Sequence, residues 1–311
     1  MTGDTRHLLD ITDLAPAELA MVLDLAEVPI ADLGRPLDGL GAALLFEKPS
    51  NRTRHSMEMA VVQLGGHPVS TRGEEVGIDQ RESAEDIARI LAGYHGLIAA
   101  RVFDHQVLVR MRDVLANSTV GADVPVVNML SDHSHPLQAL ADALTMRQLI
   151  GPLSGRTVAW VGDYNNVARS LGEIGASFGM HLRFACPAGY DADEAELERL
   201  MLLGAASVVQ TPEPAEAVRQ AHAVHTDTWV SMGQESDSAE RRVAFAGFCV
   251  DDTLMALAAD EAVFMHCLPA YRDVEVATSV IDGPQSAVFA QGHNRLHAAR
   301  GLLAFLCGVR T

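Results

Sequence analysis

The chain has 311 residues, 48% of them hydrophobic and 21% charged, with a formal net charge of −18. This composition excludes a disordered chain, and 23 Lys+Arg against 41 Asp+Glu exclude the broad basic surface of a general nucleic-acid binder. Four cysteines with no CxxC pair signal neither a zinc site nor a disulfide framework. No apolar run is long enough for a bilayer span or a signal-peptide core, so the expected setting is cytoplasmic.

Short apolar runs alternate with stretches of helical periodicity. "GAALLF" (41–46) predicts a buried strand, and Met57, Ala60, Val61 and Leu64 predict a helix after it, stopped by Gly65-Gly66. "HPVS", "LIAAR" (97–101) and "VPVVN" (124–128) predict further strands. "ESAEDIARILAGY" (82–94), residues 105–116 and "HPLQALADALTMRQLI" (135–150) predict helices, the last with Pro136 in its first turn. "GPLSG" (151–155) is the expected boundary, and the alternation restarts beyond it. Strands are expected at "RTVAWVG", "HLRFAC", "ASVVQ", "AHAVHTD" and "AVFMHC". Helices are expected at "NNVARSLGEIGASFG", "DEAELERLMLLG", about 213–220 and "NRLHAARGLLAFLC". Strand–helix alternation on both sides of the boundary predicts two α/β domains with parallel sheets. In such sheets ligands bind beyond the carboxyl ends of the strands, so chemistry is sought in the strand-end turns.

The first turn, "FEKPSNRTRHS" (46–56), gathers Lys48, Ser50, Arg52, Thr53 and Arg54 in an acidic protein. Pro49 disfavours helical geometry at Lys48, so a helix begins just after it, with Ser50 able to cap it. Its free N–H groups, its dipole and the fork-shaped arginines suit a phosphate; a capped helix with solvated arginines is the alternative. In "SDHSHPLQALAD" (131–142), Asp132, His133 and His135 make a weak metal pattern. His135 and Gln138 alternatively share one face of a helix start and donate to a carbonyl oxygen. "VGDYNN" (161–166) lacks the G-x-G-x-x-G of a dinucleotide site, which argues against a nicotinamide enzyme; Asn166 is available to hold a polar group. "HTDTWVSMGQE" (225–235) carries Asp227 at a strand end, suited to a substrate ammonium, followed by Ser231 and Met232. In "FMHCLPAYR" (264–272), strand alternation places His266 on the opposite side from Cys267, which argues against a Cys–His nucleophile.

Together, in this order, the five turns resemble the aspartate/ornithine carbamoyltransferase family over essentially the whole chain. "FEKPSNRTR" resembles its Ser-Thr-Arg-Thr-Arg motif, with Asn51 in place of the usual threonine, and "HPLQ" resembles its His-Pro-x-Gln. "DTWVSMG" with "HCLP" resembles the ornithine-specific branch. The resemblance implies an α/β fold of two doubly wound parallel-sheet domains joined by interdomain helices. A carbamoyl phosphate domain would span 1–150, completed by 293–311, and an ornithine domain 151–292. It implies transfer of a carbamoyl group from carbamoyl phosphate to the δ-amine of L-ornithine, with no metal or redox cofactor, in a homotrimer. The alternatives are another amine acceptor or a non-catalytic metabolite-binding homologue.

Carried over by position, the resemblance implies that Ser50, Asn51, Arg52 and Thr53 hold the phosphate, and that Arg101 bridges phosphate and carbamoyl oxygen. His135 and Gln138 would bind the carbamoyl group, and Arg295 would reach the same site. Asn166, Asp227, Ser231 and Met232 would bind the amino-acid end of ornithine. Cys267 and Leu268 would border the reacting amine and carbamoyl nitrogen. Arg52, Arg101, His135 and Cys267 are the residues expected to act in catalysis. The family also carries a glutamine or a serine/lysine pair, from a neighbouring subunit, in the loop before "ESAEDIARIL". This chain has Gly77 there, with Gln80 and Arg81 nearby.

Overall fold

The computed structural model describes residues 5–230 and 237–310. The chain divides into two compact units, one of Met1–Ala141 with Arg295–Thr311 and one of Asp142–Asn294. Both divisions fall inside helices, Pro136–Ile150 and Val288–Leu306.

The first unit is built on a four-stranded parallel sheet in the order β2-β1-β3-β4, with β1 Gly41–Phe46, β2 His67–Arg72, β3 Leu97–Arg101 and β4 Val126–Leu130. Along β1 the side chains alternate between faces. Ala43 and Leu45 join Ile98, Ala100, Met111 and Leu115 in one cluster, while Ala42 and Leu44 are also fully buried. A strand apolar on both sides has to be covered on both faces, which is why "GAALLF" reads as a continuous run. The helix Asn51–Gln63 follows β1. Ser50 is extended (φ −156°, ψ 115°) and its hydroxyl accepts from Thr53 N–H at 3.3 Å. Ala84–Ala92 starts in the same way, with Ser83 accepting from Asp86 N–H.

The second unit has a five-stranded parallel sheet in the order β7-β6-β5-β8-β9. Its strands are β5 Thr157–Val161, β6 His181–Ala185, β7 Ser207–Thr211, β8 Ala223–Thr226 and β9 Val263–His266. Ala159, Val161, Val224, Phe245 and Phe264 share one core cluster, and Trp160 is buried on the other face of β5. Asn165 caps Asn166–Ser177 by accepting from Val167 N–H at 2.9 Å and Ala168 N–H at 3.0 Å. Gly204, at φ 118°, ends Glu194–Leu203 in a conformation that favours glycine.

The sheets and flanking helices match the expected fold class. The last helix differs from expectation, beginning at Val288 rather than near Asn294. Gly292 sits within it in open space, and Gln291, its fourth residue, is anchored by side-chain contacts that local propensity does not register. Among the described residues, no helix is long and apolar enough to cross a membrane.

Each sheet has one point where the chain turns from winding one way to winding the other. It lies between β1 and β3 in the first unit and between β5 and β8 in the second. The carboxyl ends at such a point leave a crevice open for a ligand.

Candidate active site

In the first unit the β1/β3 switch point brings the Ser50 turn beside Arg101. Phe46 pairs with Arg101 in register, and Glu47 N–H donates to Arg101 C=O at 2.9 Å. Thr53, in the first turn of Asn51–Gln63, is buried; Asn51 is exposed and Arg52 half-buried. Lys48 lies with its Nζ 4.5 Å from the Phe103 ring centroid. Burial first, then the neighbouring Arg101, lowers its pKa.

His135 and Gln138 flank the start of Pro136–Ile150 and are both buried. Arg295 reaches them from the last helix. Its guanidinium donates to Gln138 Oε1 at 2.6 Å and to Thr53 Oγ1 at 3.0 Å, while remaining only 4% exposed. Burial holds the His135 imidazole well below its ordinary pKa, and Arg295, Arg101 and Arg52 push it further in the same direction. A neutral imidazole surrounded by three cations can donate a hydrogen bond without adding charge. The cations themselves call for an anion.

Arg54 turns away from this cluster. Its Nε donates to Glu58 Oε1 at 2.9 Å, and Ser70 Oγ donates to the same oxygen at 2.5 Å, tying the helix to β2. The residues of the weak metal pattern are used locally. Asp132 Oδ1 accepts from His105 N–H at 2.9 Å, and His133 Nε2 lies 3.6 Å from Asp10 Oδ2. In the loop before Ala84–Ala92, Gly77 has φ 59° and closes the short helix Gly73–Val76, and Arg81 Nη1 donates to Glu75 C=O at 3.4 Å.

In the second unit the β5/β8 switch point is spanned by a hydrogen bond from Asn165 Nδ2 to Asp227 Oδ2 at 3.0 Å. Asp227 Oδ1 accepts from Thr228 N–H at 2.8 Å and from the Cys267 thiol at 3.1 Å. Pairing of Thr226 with His266 across β8 and β9 places Asp227 and Cys267 side by side. Asn165 thus both caps the helix and reaches Asp227, and Asn166 is the first residue of that helix. The sequence reading missed Asn165 because an N-cap asparagine looks the same with or without a second partner. Ser231 and Met232 lie outside the described residues. The carbonyl of Trp229, just before them, accepts from Arg241, which also pairs with Asp163.

The expectation that His266 points away from Cys267 is corrected. A His266 ring nitrogen, Cys267 Sγ and an Asp227 carboxylate oxygen lie within 4.8 Å of one another. Alternation fails here because β9 ends at His266, and Leu268 turns the chain with φ 56°. Both ring nitrogens of His266 are engaged, Nδ1 by Leu268 N–H at 2.9 Å and Nε2 by Glu275 Oε1 at 3.3 Å. It is therefore not placed to deprotonate the thiol.

Two family models match the chain. The family model described as "Aspartate/ornithine carbamoyltransferase, carbamoyl-P binding domain" matches residues 6–148, and the one described as "Asp/Orn binding domain" matches residues 154–306. The chain belongs to the aspartate/ornithine carbamoyltransferase family. Among relatives in that family, it is 48% identical to the ornithine carbamoyltransferase of Acidothermus cellulolyticus, over 97% of this chain and 96% of the relative. It is 46% identical to that of Thermus thermophilus, with the same coverage. The solved structure of ornithine carbamoyltransferase from Pyrococcus furiosus superposes with a TM-score of 0.90 at 38% identity, covering 98% of both chains. A solved N-acetyl-L-ornithine transcarbamylase mutant superposes with a TM-score of 0.84 at 29% identity, covering 96% of this chain and 99% of its own.

Proposed function

We propose that this chain transfers the carbamoyl group of carbamoyl phosphate to the δ-amine of L-ornithine, giving L-citrulline and phosphate. The observation that carries the reading is the convergence of Arg52, Arg101 and Arg295 on a buried, neutral His135 beside a capped helix N-terminus. It occurs in the unit whose family model is described as carbamoyl-P binding.

In this reading Ser50, the backbone of Asn51, Arg52 and Thr53 hold the phosphate, and Arg101 and Arg295 share its charge. His135 and Gln138 orient the carbamoyl group, with His135 donating to its oxygen. In the second unit, Asp227 takes the α-ammonium of ornithine and Asn166 its carboxylate. Cys267 and Leu268 border the reacting amine.

The neutral δ-amine attacks the carbonyl carbon. A C–N bond forms, negative charge moves onto the carbonyl oxygen and then returns, and the C–O bond to phosphate breaks. The phosphate leaves with the electron pair, and the amine gives up a proton to solvent. Preorganised cations stabilise the charge gained by the leaving group, and Arg101 and His135 stabilise the developing oxyanion. A free alkyl ammonium titrates near 10.4, so deprotonation of the amine precedes attack.

Ornithine as the acceptor is supported by the relatives named above as ornithine carbamoyltransferases, which are 38–48% identical to this chain. The family resemblance supports extending the reading to a homotrimer acting in arginine metabolism in the cytoplasm. An acceptor panel of ornithine, N-acetylornithine, putrescine and aspartate, read by phosphate release, tests the assignment. Ornithine should give the highest kcat/KM, and Asp227→Ala should selectively reduce turnover of α-amino acceptors. Preference for another acceptor would overturn it.

A further inference from the structure

The two strand ends that carry Asp227 and Cys267 are tied together by one buried side chain. Gln291, 1% exposed on the helix Val288–Leu306, uses both ends of its amide. Its Oε1 accepts from His266 N–H at 2.9 Å, at the end of β9. Its Nε2 donates to Asp142 Oδ1 at 2.7 Å and lies 3.1 Å from His225 Nε2, on β8.

The proton positions follow from partners that have only one role. Thr226 C=O can only accept, so the His225 Nδ1 it faces at 3.1 Å carries a proton, while His225 Nε2 faces both Gln291 Nε2, at 3.1 Å, and Asp142 Oδ2, at 3.4 Å. Leu268 N–H can only donate, so His266 Nδ1 is bare and Nε2–H is directed at Glu275 Oε1. Gln291 therefore cannot flip its amide without setting an NH₂ against an N–H and an oxygen against a carboxylate. The ends of the network are also held. His225 stacks on Trp160 with ring centroids 5.1 Å apart, and Glu275 Oε1 also accepts from Tyr271 N–H at 2.5 Å. Leu268 sits at φ 56°, a strained conformation for a leucine, which persists only where its surroundings over-determine it.

We propose that Gln291 is a positioning residue for the amine-acceptor half of the site. It locks the end of β8 to the end of β9, and so sets the 3.1 Å contact between Asp227 and Cys267. Its consequence for ornithine rests on the function proposed above; its consequence for the thiol does not.

Gln291→Met keeps the length of the side chain and removes all three polar contacts. Two readouts are taken on the full-length protein. The first is the ornithine KM, expected to rise by about tenfold or more, with carbamoyl phosphate affinity by calorimetry unchanged. The second, without substrate, is the rate of Cys267 alkylation by iodoacetamide, followed by peptide mapping. It should increase as the thiol loses its hold on Asp227. Where Gln291→Met does not fold, Gln291→Glu retains the acceptor for His266 N–H but replaces the donor facing Asp142 and His225 by an oxygen, and the same two shifts are expected. A folded variant with lowered melting temperature but wild-type ornithine KM or wild-type alkylation rate would show a merely structural residue and overturn the proposal. If the wild type makes no citrulline, the proposed function fails, and the alkylation readout still decides the role of Gln291.

Discussion

Arg295 Nη1 donates to Gln138 Oε1 at 2.6 Å across 157 residues of chain. The same guanidinium donates to Thr53 Oγ1 at 3.0 Å, so one side chain from the last helix joins two turns that are far apart in sequence. In the proposed reading, that makes it part of the carbamoyl phosphate site. Arg295→Met should weaken carbamoyl phosphate binding by about 1.5–3 kcal/mol, the range for a hydrogen bond to a charged group. Isothermal titration checks it, and an affinity within twofold of wild type, about 0.4 kcal/mol, would remove Arg295 from the site.

The two arginines of the Ser50 turn should separate cleanly. Arg52 is one of the three cations acting on His135, whereas Arg54 is paired with Glu58 on its own helix. Arg52→Ala should cost about 1.5–3 kcal/mol in carbamoyl phosphate binding. Arg54→Met removes a partly exposed pair, and its effect on stability should stay below about 1 kcal/mol, with little change in affinity. Titration and urea unfolding of both variants test the contrast.

How much of this could be read from the chain depends on the kind of contact. The Ser50 cap, the helix it opens and the buried strand before it follow from local pattern, because buried runs and capping residues carry their own signals. His135 and Gln138 were legible as one face of a helix start. Their contact with Arg295 is set by tertiary packing, and only resemblance to a family pointed there. The contact of Asn165 with Asp227 carries no signal of its own, since capping a helix and reaching Asp227 require the same residue type. His266 was placed on the wrong side because alternation was carried one residue past the end of β9. The Asp142–Gln291–His225 network has no sequence signal, because its members lie far apart and each taken singly is an ordinary polar residue.

Acid should destabilise the protein through His135. Its pKa is held well below the usual value in the folded state, by burial first and then by Arg295, Arg101 and Arg52. The unfolded chain takes up a proton near pH 6.5 that the folded chain refuses. Stability from this group is thus present above pH 6.5 and lost as pH falls toward the folded pKa, by up to about 1.4 kcal/mol per pH unit. His7, His95, His105 and His222 are shifted in the same direction, so the informative quantity is a difference between proteins. His135→Gln should show a slope of stability against pH, between about pH 5 and 6.5, shallower by about one proton. Urea unfolding at several pH values measures it, and equal slopes would contradict the burial of a neutral imidazole.

Within the first unit, Gly301 marks where the last helix lies closest to the helix Pro16–Glu27. A Cβ at this position would fall 2.7 Å from Ala26 N and closer still to Val22 C=O, both backbone atoms unable to swing aside. Gly301→Ala should therefore destabilise by about 1–3 kcal/mol despite the higher helix propensity of alanine. A urea midpoint at or above that of wild type would show that the two helices separate freely.

The central claim is the chemistry, and the most direct measurement is citrulline formation by the purified protein given carbamoyl phosphate and L-ornithine. Citrulline and phosphate should appear in equal amounts, with turnover abolished or greatly reduced in Arg52→Ala. Binding of carbamoyl phosphate with no citrulline above the uncatalysed background would contradict the account and leave a metabolite-binding protein in its place.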